Sequence, residues 1–272
     1  MLKQRVLTAL PLAAFIIWGI FTQPVSIIFY ALLLITAIAG WEWSALSGIS
    51  NKALRAGYAL SVAALAYASH HIIERYPQWL SLVLLATVVL WLMAIFHMFT
   101  RGPQDANQLF SKTKFLLGFA FLIPPVLALL LIRKQPEGEI WLFYCLSIVS
   151  FADIGAYFAG KRFGKTKLVP KISPGKTREG LYGGVFVTAS VSVLAGLYFE
   201  LQAIPMVMLL IITVLSTFVS VAGDLFVSLL KRERGLKDTG HILPGHGGIL
   251  DRIDSIISSA PFIAFLLSVV IF

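Results

Sequence analysis

The sequence predicts an all-α, polytopic integral membrane protein with about nine transmembrane helices and a cytoplasmic N-terminus. Two features of composition support this prediction: the mean hydropathy is +0.86, and only 13% of the 272 residues are charged. Soluble domains carry about 25% charged residues, so this composition is typical of a chain that lies in a bilayer. The third feature is the distribution of lysine and arginine among the loops.

Nine apolar windows each approach the roughly 20 residues that a helix needs to cross about 30 Å of hydrocarbon. They cover residues 5–22, 25–45, 54–70, 80–99, 115–132, 140–160, 181–199, 204–229 and 256–272. Pro11 interrupts the first window and no clear small-residue cleavage site follows it, so a retained helix is predicted instead of a cleaved signal peptide. Cys145 lies inside the sixth window and is expected to be a small buried side chain.

The basic residues test this number of spans, because loops that stay in the cytoplasm are enriched in lysine and arginine. With the N-terminus inside, 19 of the 22 basic residues fall in cytoplasmic segments, and only Arg75, Arg133 and Lys134 fall outside. One span more or fewer before residue 160 would move at least one of the two most basic loops to the outer side. The charge distribution therefore favours an odd number of spans.

The chain divides into two regions of different character. Residues 1–135 hold spans 1–5 and few charges, whereas residues 136–272 hold spans 6–9 and two basic loops. The second region is predicted to be the catalytic one, because acidic residues occur inside its spans. In the first region Glu42 could support a site, but an interfacial acid that faces water is the preferred interpretation.

Asp224 is the most unusual acid, because it lies inside the eighth span, seven residues before Lys231. At 1.5 Å per residue, its position is about 10 Å below the charged end of the helix. An ionised carboxylate at such a depth costs about 2.5–3.5 kcal/mol unless a cation or a water-filled cavity compensates it. A functional role is therefore expected for Asp224.

Three more acids are predicted to lie near Asp224. Asp251 and Asp254 begin the ninth span three residues apart and share one helix face, and Asp153 lies near the cytoplasmic end of the sixth span. A helix cap explains one acid in a first turn but does not explain two. Carboxylates that converge in this way are typical of Mg²⁺ held together with phosphate oxygens. Zinc is disfavoured, because the sequence has no cysteine pair and His241 and His246 lack the helical spacing of a zinc site.

The loop after the sixth span is strongly basic, with seven cationic residues between Lys161 and Arg178. Its Ser173-Pro-Gly-Lys-Thr177 run is expected to expose backbone amides and hydroxyls beside fixed cations, as a phosphate site requires. It is not a Walker A loop, because position 170 is proline where that motif needs glycine. Together with the acids, the loop predicts phosphoryl or nucleotidyl transfer to a lipid at the cytoplasmic membrane surface, and nucleic acid is not an expected partner.

Two segments resemble the phosphatidate cytidylyltransferase (CDP-diacylglycerol synthase) family. The first runs from Ser228 to Asp254 and contains Lys231-Arg232, Lys237-Asp238, His246-Gly-Gly and Asp251-Arg-Ile-Asp254. The second runs from Ala152 through Ser173-Pro-Gly-Lys-Thr-Arg-Glu-Gly180, with Pro174-Gly175 as a small departure from the family's pattern. The N-terminal half resembles the family only as a series of hydrophobic spans.

The resemblance implies that CTP and phosphatidate react directly to give CDP-diacylglycerol and pyrophosphate, with Mg²⁺ and a possible second cation. It implies these catalytic residues: Asp224, Asp251, Lys237 and His246. It implies these metal ligands: Asp224, Asp251, Asp254 and Asp153. It implies these substrate-binding residues: Ser173, Lys176, Thr177, Arg178, Lys231, Arg232, Asp238, Gly247, Gly248 and Arg252. It also implies a bacterial inner-membrane enzyme and a possible homodimer.

Three alternative functions are compared with the sequence. A CDP-alcohol phosphotransferase needs an Asp-Gly-x-x-Ala-Arg run, which the sequence lacks. A lipid or ion transporter would place its charges near the midplane in repeated halves, whereas here they gather at one face in one half. Nucleotidyl transfer to a polyprenol or an archaeal lipid is the nearest alternative.

Overall fold

The structure, a computed structural model, describes residues 2–101, 111–242 and 247–271. Ten helices and one small hairpin make up these ranges. Their bounds are α1 Leu2–Thr22, α2 Val25–Leu46, α3 Lys52–Arg75, α4 Gln78–Arg101, α5 Lys112–Leu122, α6 Pro124–Arg133, α7 Gly138–Phe163, β1 Lys167–Val169, β2 Ser173–Thr177, α8 Arg178–Tyr198, α9 Ala203–Glu233 and α10 Leu250–Val270.

The prediction of a helical integral membrane protein is confirmed. Seven helical segments of the described ranges are long and apolar enough to cross a membrane. They are Val25–Leu46, Gln78–Thr100, Lys112–Arg133, Gly138–Phe163, Arg178–Tyr198, Ala203–Glu233 and Leu250–Val270. The other two predicted windows are also helical: α1 has only a short apolar part, Leu10–Thr22, and α3 is long but more polar.

Two local features differ from the predicted windows. The fifth window is two helices, α5 and α6, which meet at Ile123 because the Pro124-Pro125 pair cannot donate backbone hydrogen bonds to the preceding turn. The second difference is the antiparallel β1–β2 hairpin in the first basic loop, so the all-α class holds for the membrane part but not for this loop.

One end of the bundle gathers the chain segments that the charge pattern placed on the cytoplasmic side. There, the Ser111 amide donates to the Ser47 carbonyl at 2.9 Å, and Lys114 Nζ pairs with Glu233 Oε2 at 2.7 Å. At the opposite end, Arg133 pairs with Glu139 at 2.7 Å. The ends of successive helices thus alternate between two poles, and the predicted site residues fall near one pole.

Small residues bring the helices of the second region close together, as is common in membrane bundles. A side chain at Gly183 of α8 would collide with Ala159 of α7, and one at Gly223 of α9 would collide with Ser258 of α10. Helices of the two predicted regions also pack on each other, α4 on α9 and α6 on α10. The boundary at residues 135–136 stays a prediction.

Candidate active site

Five elements bring predicted site residues to one end of the bundle. The C-terminal half of α7 carries Asp153, the hairpin carries Lys176, and the last turns of α9 carry Asp224 and Lys231. The first turn of α10 carries Asp251, and α8 begins directly after the hairpin. Residues from α7, the hairpin, α9 and α10 are therefore neighbours in space although up to 98 residues separate them in sequence.

The hairpin is held in place at both of its ends. Its register pairs Lys167 with Thr177, and Thr177 Oγ1 accepts from the Gly180 amide at 3.1 Å, which caps the start of α8. At the turn, the buried Ile172 offers its carbonyl to Arg232 Nε at 3.4 Å. Ser173 lies in β2, so the 173–177 run is a strand of a two-stranded hairpin, which leaves the amides of its outer edge without a strand partner.

Lys176 and Asp224 form an ion pair between the hairpin and α9. Lys176 Nζ lies 2.6 Å from Asp224 Oδ2, and the side chains are 24% and 26% exposed. Ser228 Oγ donates to the other Asp224 oxygen at 3.2 Å. The Lys176 nitrogen is itself buried and makes no other hydrogen bond within the described part of the chain, so some of its donors are unused.

Asp254 is a buried acid one turn into α10, facing α9. One of its oxygens accepts from the Ser255 amide at 2.8 Å. The negative charge of Asp224 repels it, and the positive charges of Lys231 and Lys176 attract it. When both carboxyl groups are ionised, a bound cation or a proton on one of them relieves their mutual repulsion.

Asp153 joins the same electrostatic group from α7. Its carboxylate is attracted by Lys176 and Arg252 and is repelled by Asp224. Asp153 and Lys176 also line a cavity of about 360 Å³ that lies between α7, the hairpin, α8 and α9. The other lining residues are Ala156, Tyr157, Gly160, Lys161, Leu168, Gly175, Thr177, Gly180, Leu181 and Val221.

Asp251 is almost fully enclosed and all of its contacts are internal. Lys231 Nζ donates to Oδ1 at 2.8 Å, and the two side chains are 9% and 4% exposed, lysine first. Oδ2 accepts from the Thr239 amide at 2.8 Å, from the Thr239 hydroxyl at 3.0 Å and from the Gly248 amide at 2.9 Å. Gly247 has a φ of +84° and leaves no room for a Cβ beside this carboxylate. The Gly248 amide, which the resemblance implies to bind substrate, thus donates to Asp251.

The prediction that Glu42 faces water is wrong, because its side chain is buried. It is 1% exposed, and its carboxylate accepts from Thr239 Oγ1 at 3.0 Å, from the Ile249 amide at 3.1 Å and from the Leu250 amide at 2.7 Å. The sequence did contain a signal: the C-terminal end of a helix disfavours a negative charge, so an acid near that end is favoured only if it has a partner elsewhere. Sequence patterns do not identify that partner, which lies 207–208 residues further along the chain.

Other predicted site residues lie at the edge of this cluster. Arg178, Lys237 and Asp238 are exposed, and Arg252 is exposed on the α10 side of the site. Arg232 is engaged with the carbonyls of Ile172 and Leu236. His246 lies outside the described residues.

The acids suit a hard divalent cation by chemistry, although they do not form a complete cage. Their side chains offer only oxygen atoms, which Mg²⁺ prefers. No group of three or more acidic, histidine or cysteine side chains within residues 2–101, 111–242 and 247–271 is positioned to hold a metal by itself. Mg²⁺ commonly takes one or two carboxylates and completes its shell with water and substrate phosphates, so Asp224, Asp254 and Asp153 fit that pattern. Asp251 has its oxygens engaged and fits it less well.

Comparison with known proteins covers nearly the whole chain. Relatives named phosphatidate cytidylyltransferase include one from Pseudomonas aeruginosa, 38% identical over 98% of this chain and 97% of its own length, and one from Haemophilus influenzae, 33% identical over 97% and 98%. One from Bacillus subtilis is 46% identical over 48% of each chain. Residues 3–270 match the family described as the cytidylyltransferase family. The predicted resemblance is confirmed, and the chain belongs to the cytidylyltransferase family.

Proposed function

We propose that this chain transfers the cytidylyl group of CTP to phosphatidate and releases CDP-diacylglycerol and pyrophosphate. Support comes from the two relatives of that name that match over nearly their full lengths. The observation that carries the proposal is the Lys176–Asp224 pair beside a cavity at one pole of a membrane bundle. A site in this position can take a charged nucleotide from water and a lipid phosphate from the bilayer.

The reaction needs no nucleophile from the protein. A phosphate oxygen of phosphatidate forms a bond to the α-phosphorus of CTP, the bond from that phosphorus to the α–β bridging oxygen breaks, and pyrophosphate leaves with the electron pair. The task of the protein is to orient two polyanions and to offset their repulsion. Lys176 is suited to this role because its ammonium keeps unused donors at the cavity wall.

Mg²⁺ belongs to the same proposal. Asp224 and Asp254 would hold it, with Asp153 in support, because Asp224 lies close enough to repel both of the other acids and Lys176 attracts all three. Bound there, Mg²⁺ would supply neutralisation of charge on the transferring phosphoryl group. Lys231 and Lys176 offset part of the negative charge of these acids, and the proposed cation would offset more of it.

The proposed topology has nine crossings, with the N-terminus and the site facing the cytoplasm of a bacterial inner membrane. The positive-inside rule supports this orientation, because the basic loops gather at the pole of the site. The α1 and α3 helices would supply the two crossings beyond the seven apolar ones, since Arg133 contacts Gln23 after α1 and Lys134 contacts Glu74 of α3 at the opposite pole. A homodimer, which the resemblance implies, is tested by crosslinking of the purified protein in detergent.

The test of the function is transfer of labelled cytidine nucleotide into a lipid. Purified protein in detergent is given CTP, Mg²⁺ and phosphatidate, and a lipid-soluble cytidine product is expected. Polyprenyl phosphate in place of phosphatidate tests the alternative acceptor, and faster transfer to it would overturn the substrate assignment. Asp224→Asn is expected to retain less than about a tenth of the wild-type rate, since it removes a charge from the proposed metal shell with little change of shape. Lys134→Ala at the other pole is the matched control.

A further inference from the structure

Glu42 breaks a local rule of helix chemistry, and it lies in the region of the chain predicted to be passive. It lies four residues before Leu46, the last residue of α2, and so near the helix end whose negative dipole charge opposes a carboxylate. It is also almost completely buried, and a buried charge is costly unless hydrogen bonds or opposite charges compensate it. Residues that break local rules in a stable fold are commonly held there for function.

The compensation comes from the other end of the chain. The cap position of α10 is Ile249, whose side chain cannot cap a helix. Glu42 takes that role from α2, because its two oxygens accept from the Ile249 and Leu250 amides. The positive end of the α10 dipole thus offsets the unfavourable position of Glu42 in α2.

Two glycines of the polar segment make room for this contact. A Cβ at Gly240 or at Gly248 would collide with the Glu42 carboxylate. Neither glycine has a positive φ, so their own backbone conformations do not demand glycine. The approach of Glu42 is therefore a sufficient reason for glycine at both positions.

Thr239 couples Glu42 to Asp251. Its hydroxyl lies 3.0 Å from Glu42 Oε2 and 3.0 Å from Asp251 Oδ2, and its amide donates to the same Asp251 oxygen at 2.8 Å. A hydroxyl has one proton to donate, so it binds one carboxylate at a time and stays between the two. Asp251 in turn holds Lys231, which attracts both Asp224 and Asp254.

We propose that Glu42 is a positioning residue for the cytidylyl transfer: it fixes Thr239 and the first turn of α10, and through them sets the positions of Asp251 and Lys231. Its oxygens are taken by backbone and hydroxyl donors, so it does not touch the substrate. The expected change in kcat rests on the proposed function. The expected change in the position of Thr239 and of the first turn of α10 rests on the geometry alone.

Glu42→Ala removes all three accepted hydrogen bonds and should lower kcat by about 10–100-fold, the usual scale for a residue that orients a site residue, with a smaller change in the KM for CTP. Glu42→Gln keeps an acceptor for the Leu250 amide and the Thr239 hydroxyl and should recover most of the loss in kcat.

Thr239→Val should also lower kcat. The double variant Glu42→Ala/Thr239→Val should have a kcat no lower than that of Glu42→Ala alone, because both substitutions act through one contact. Glu139→Gln changes an acid in the first turn of α7 at the other pole and should leave kcat unchanged.

Hydrogen exchange supplies a readout that does not depend on activity. In Glu42→Ala the amides of Ile249 and Leu250 should exchange faster than in the wild type, whereas amides of α7 and α8 should not change. Wild-type protection of these amides in Glu42→Ala would overturn the proposal. So would a Glu42→Gln enzyme as inactive as Glu42→Ala with its amides still protected, because that result would make Glu42 a direct participant. If the wild type transfers no cytidylyl group, the proposed function fails while the exchange result still decides the role of Glu42 in the fold.

Discussion

At the scale of single residues, the acids of the site differ in their cationic partners and in where those partners lie. Asp224 pairs with Lys176 at the cavity, and Asp251 pairs with Lys231 in the interior. Asp254 makes no comparable ion pair within the described part of the chain and is repelled by Asp224. These differences predict different consequences for substitutions that look equivalent in the sequence.

Lys176→Ala tests the pair at the cavity. We expect it to raise the KM for CTP and to lower kcat/KM by an amount equivalent to about 1.5–3 kcal/mol, the scale of a charge-assisted hydrogen bond. Steady-state kinetics with varied CTP measure this change. The idea is wrong if kcat/KM for CTP stays at the wild-type value and only binding to anionic vesicles weakens, because the basic hairpin would then be a membrane anchor.

Asp251→Asn and Asp254→Asn separate structural from chemical roles. Asp251→Asn removes the counter-charge that is hydrogen-bonded to the buried Lys231 ammonium, so the free energy of unfolding should fall by about 3–5 kcal/mol, as when a buried pair is broken. Asp254→Asn removes the repulsion by Asp224, so the free energy of unfolding should stay at the wild-type value while cytidylyl transfer is lost. Unfolding and transfer assays in detergent measure both quantities, and Lys231→Met should return part of the stability to Asp251→Asn. Equal loss of stability in both single variants would contradict these assignments.

At the scale of elements, the site depends on helices that begin and end against other elements. The hairpin leads into α8 through the Thr177 cap, and α10 begins with amides bound to α2. The α7–α8 contact allows this arrangement, because Gly183 lies against Ala159 and the Gly155 carbonyl. Movement of α7 relative to α8 would shift Asp153 away from Lys176.

Gly183→Ala tests this contact. The added methyl group would overlap Ala159, and overpacking in a tight core costs about 1–3 kcal/mol, so we expect lower thermal stability and lower activity. Gly57→Ala in α3 is the control, since no described atom lies within 4 Å of its added Cβ. Alanine is the better helix former there by about 0.5–1 kcal/mol, so stability should hold or rise. If Gly183→Ala and Gly57→Ala had the same thermal stability and activity, the packing of α7 on α8 would not be tight.

At the scale of the whole molecule, charge and hydropathy divide the protein into an apolar body and one polar pole. The two predicted regions meet at that pole, because Glu42 and Lys114 of the first region contact Leu250 and Glu233 of the second. The first region therefore supplies contacts to the site as well as membrane spans.

Accessibility of introduced cysteines tests the proposed topology. In a Cys145→Ser background, cysteines replacing Thr166 and Ile242 should react with a membrane-impermeant reagent only after the inner face is exposed. A cysteine replacing Gln78, at the start of α4 near the other pole, should react in intact cells. Both Thr166 and Ile242 are exposed on the protein, so a failure to react before the inner face is opened reflects the membrane. Reaction of either one in intact cells would overturn the orientation.

The apolar windows predicted the helices well because membrane insertion depends on composition that is local in sequence. Two local features were not predicted, because a hydropathy value averaged over a window does not detect them. A proline pair divides α5 from α6, and the first basic loop forms a hairpin. Among site residues, Asp224 was identifiable because an acid inside a span is costly wherever it lies. Gly247 and Gly248 were identifiable as special, but their role was assigned to phosphate binding, whereas here they make room for carboxylates.

The sequence by itself determined that this is a helical membrane protein, that its charges gather at one side, and that its polar segments belong to the cytidylyltransferase family. Each of these follows from composition or from residues close together in the chain. Only the tertiary structure decided which acid meets which cation, because those partners lie tens to hundreds of residues apart and their pairing depends on how the helices pack. Glu42 is the clearest case: its burial becomes favourable only where the first turn of α10 presents its free amides.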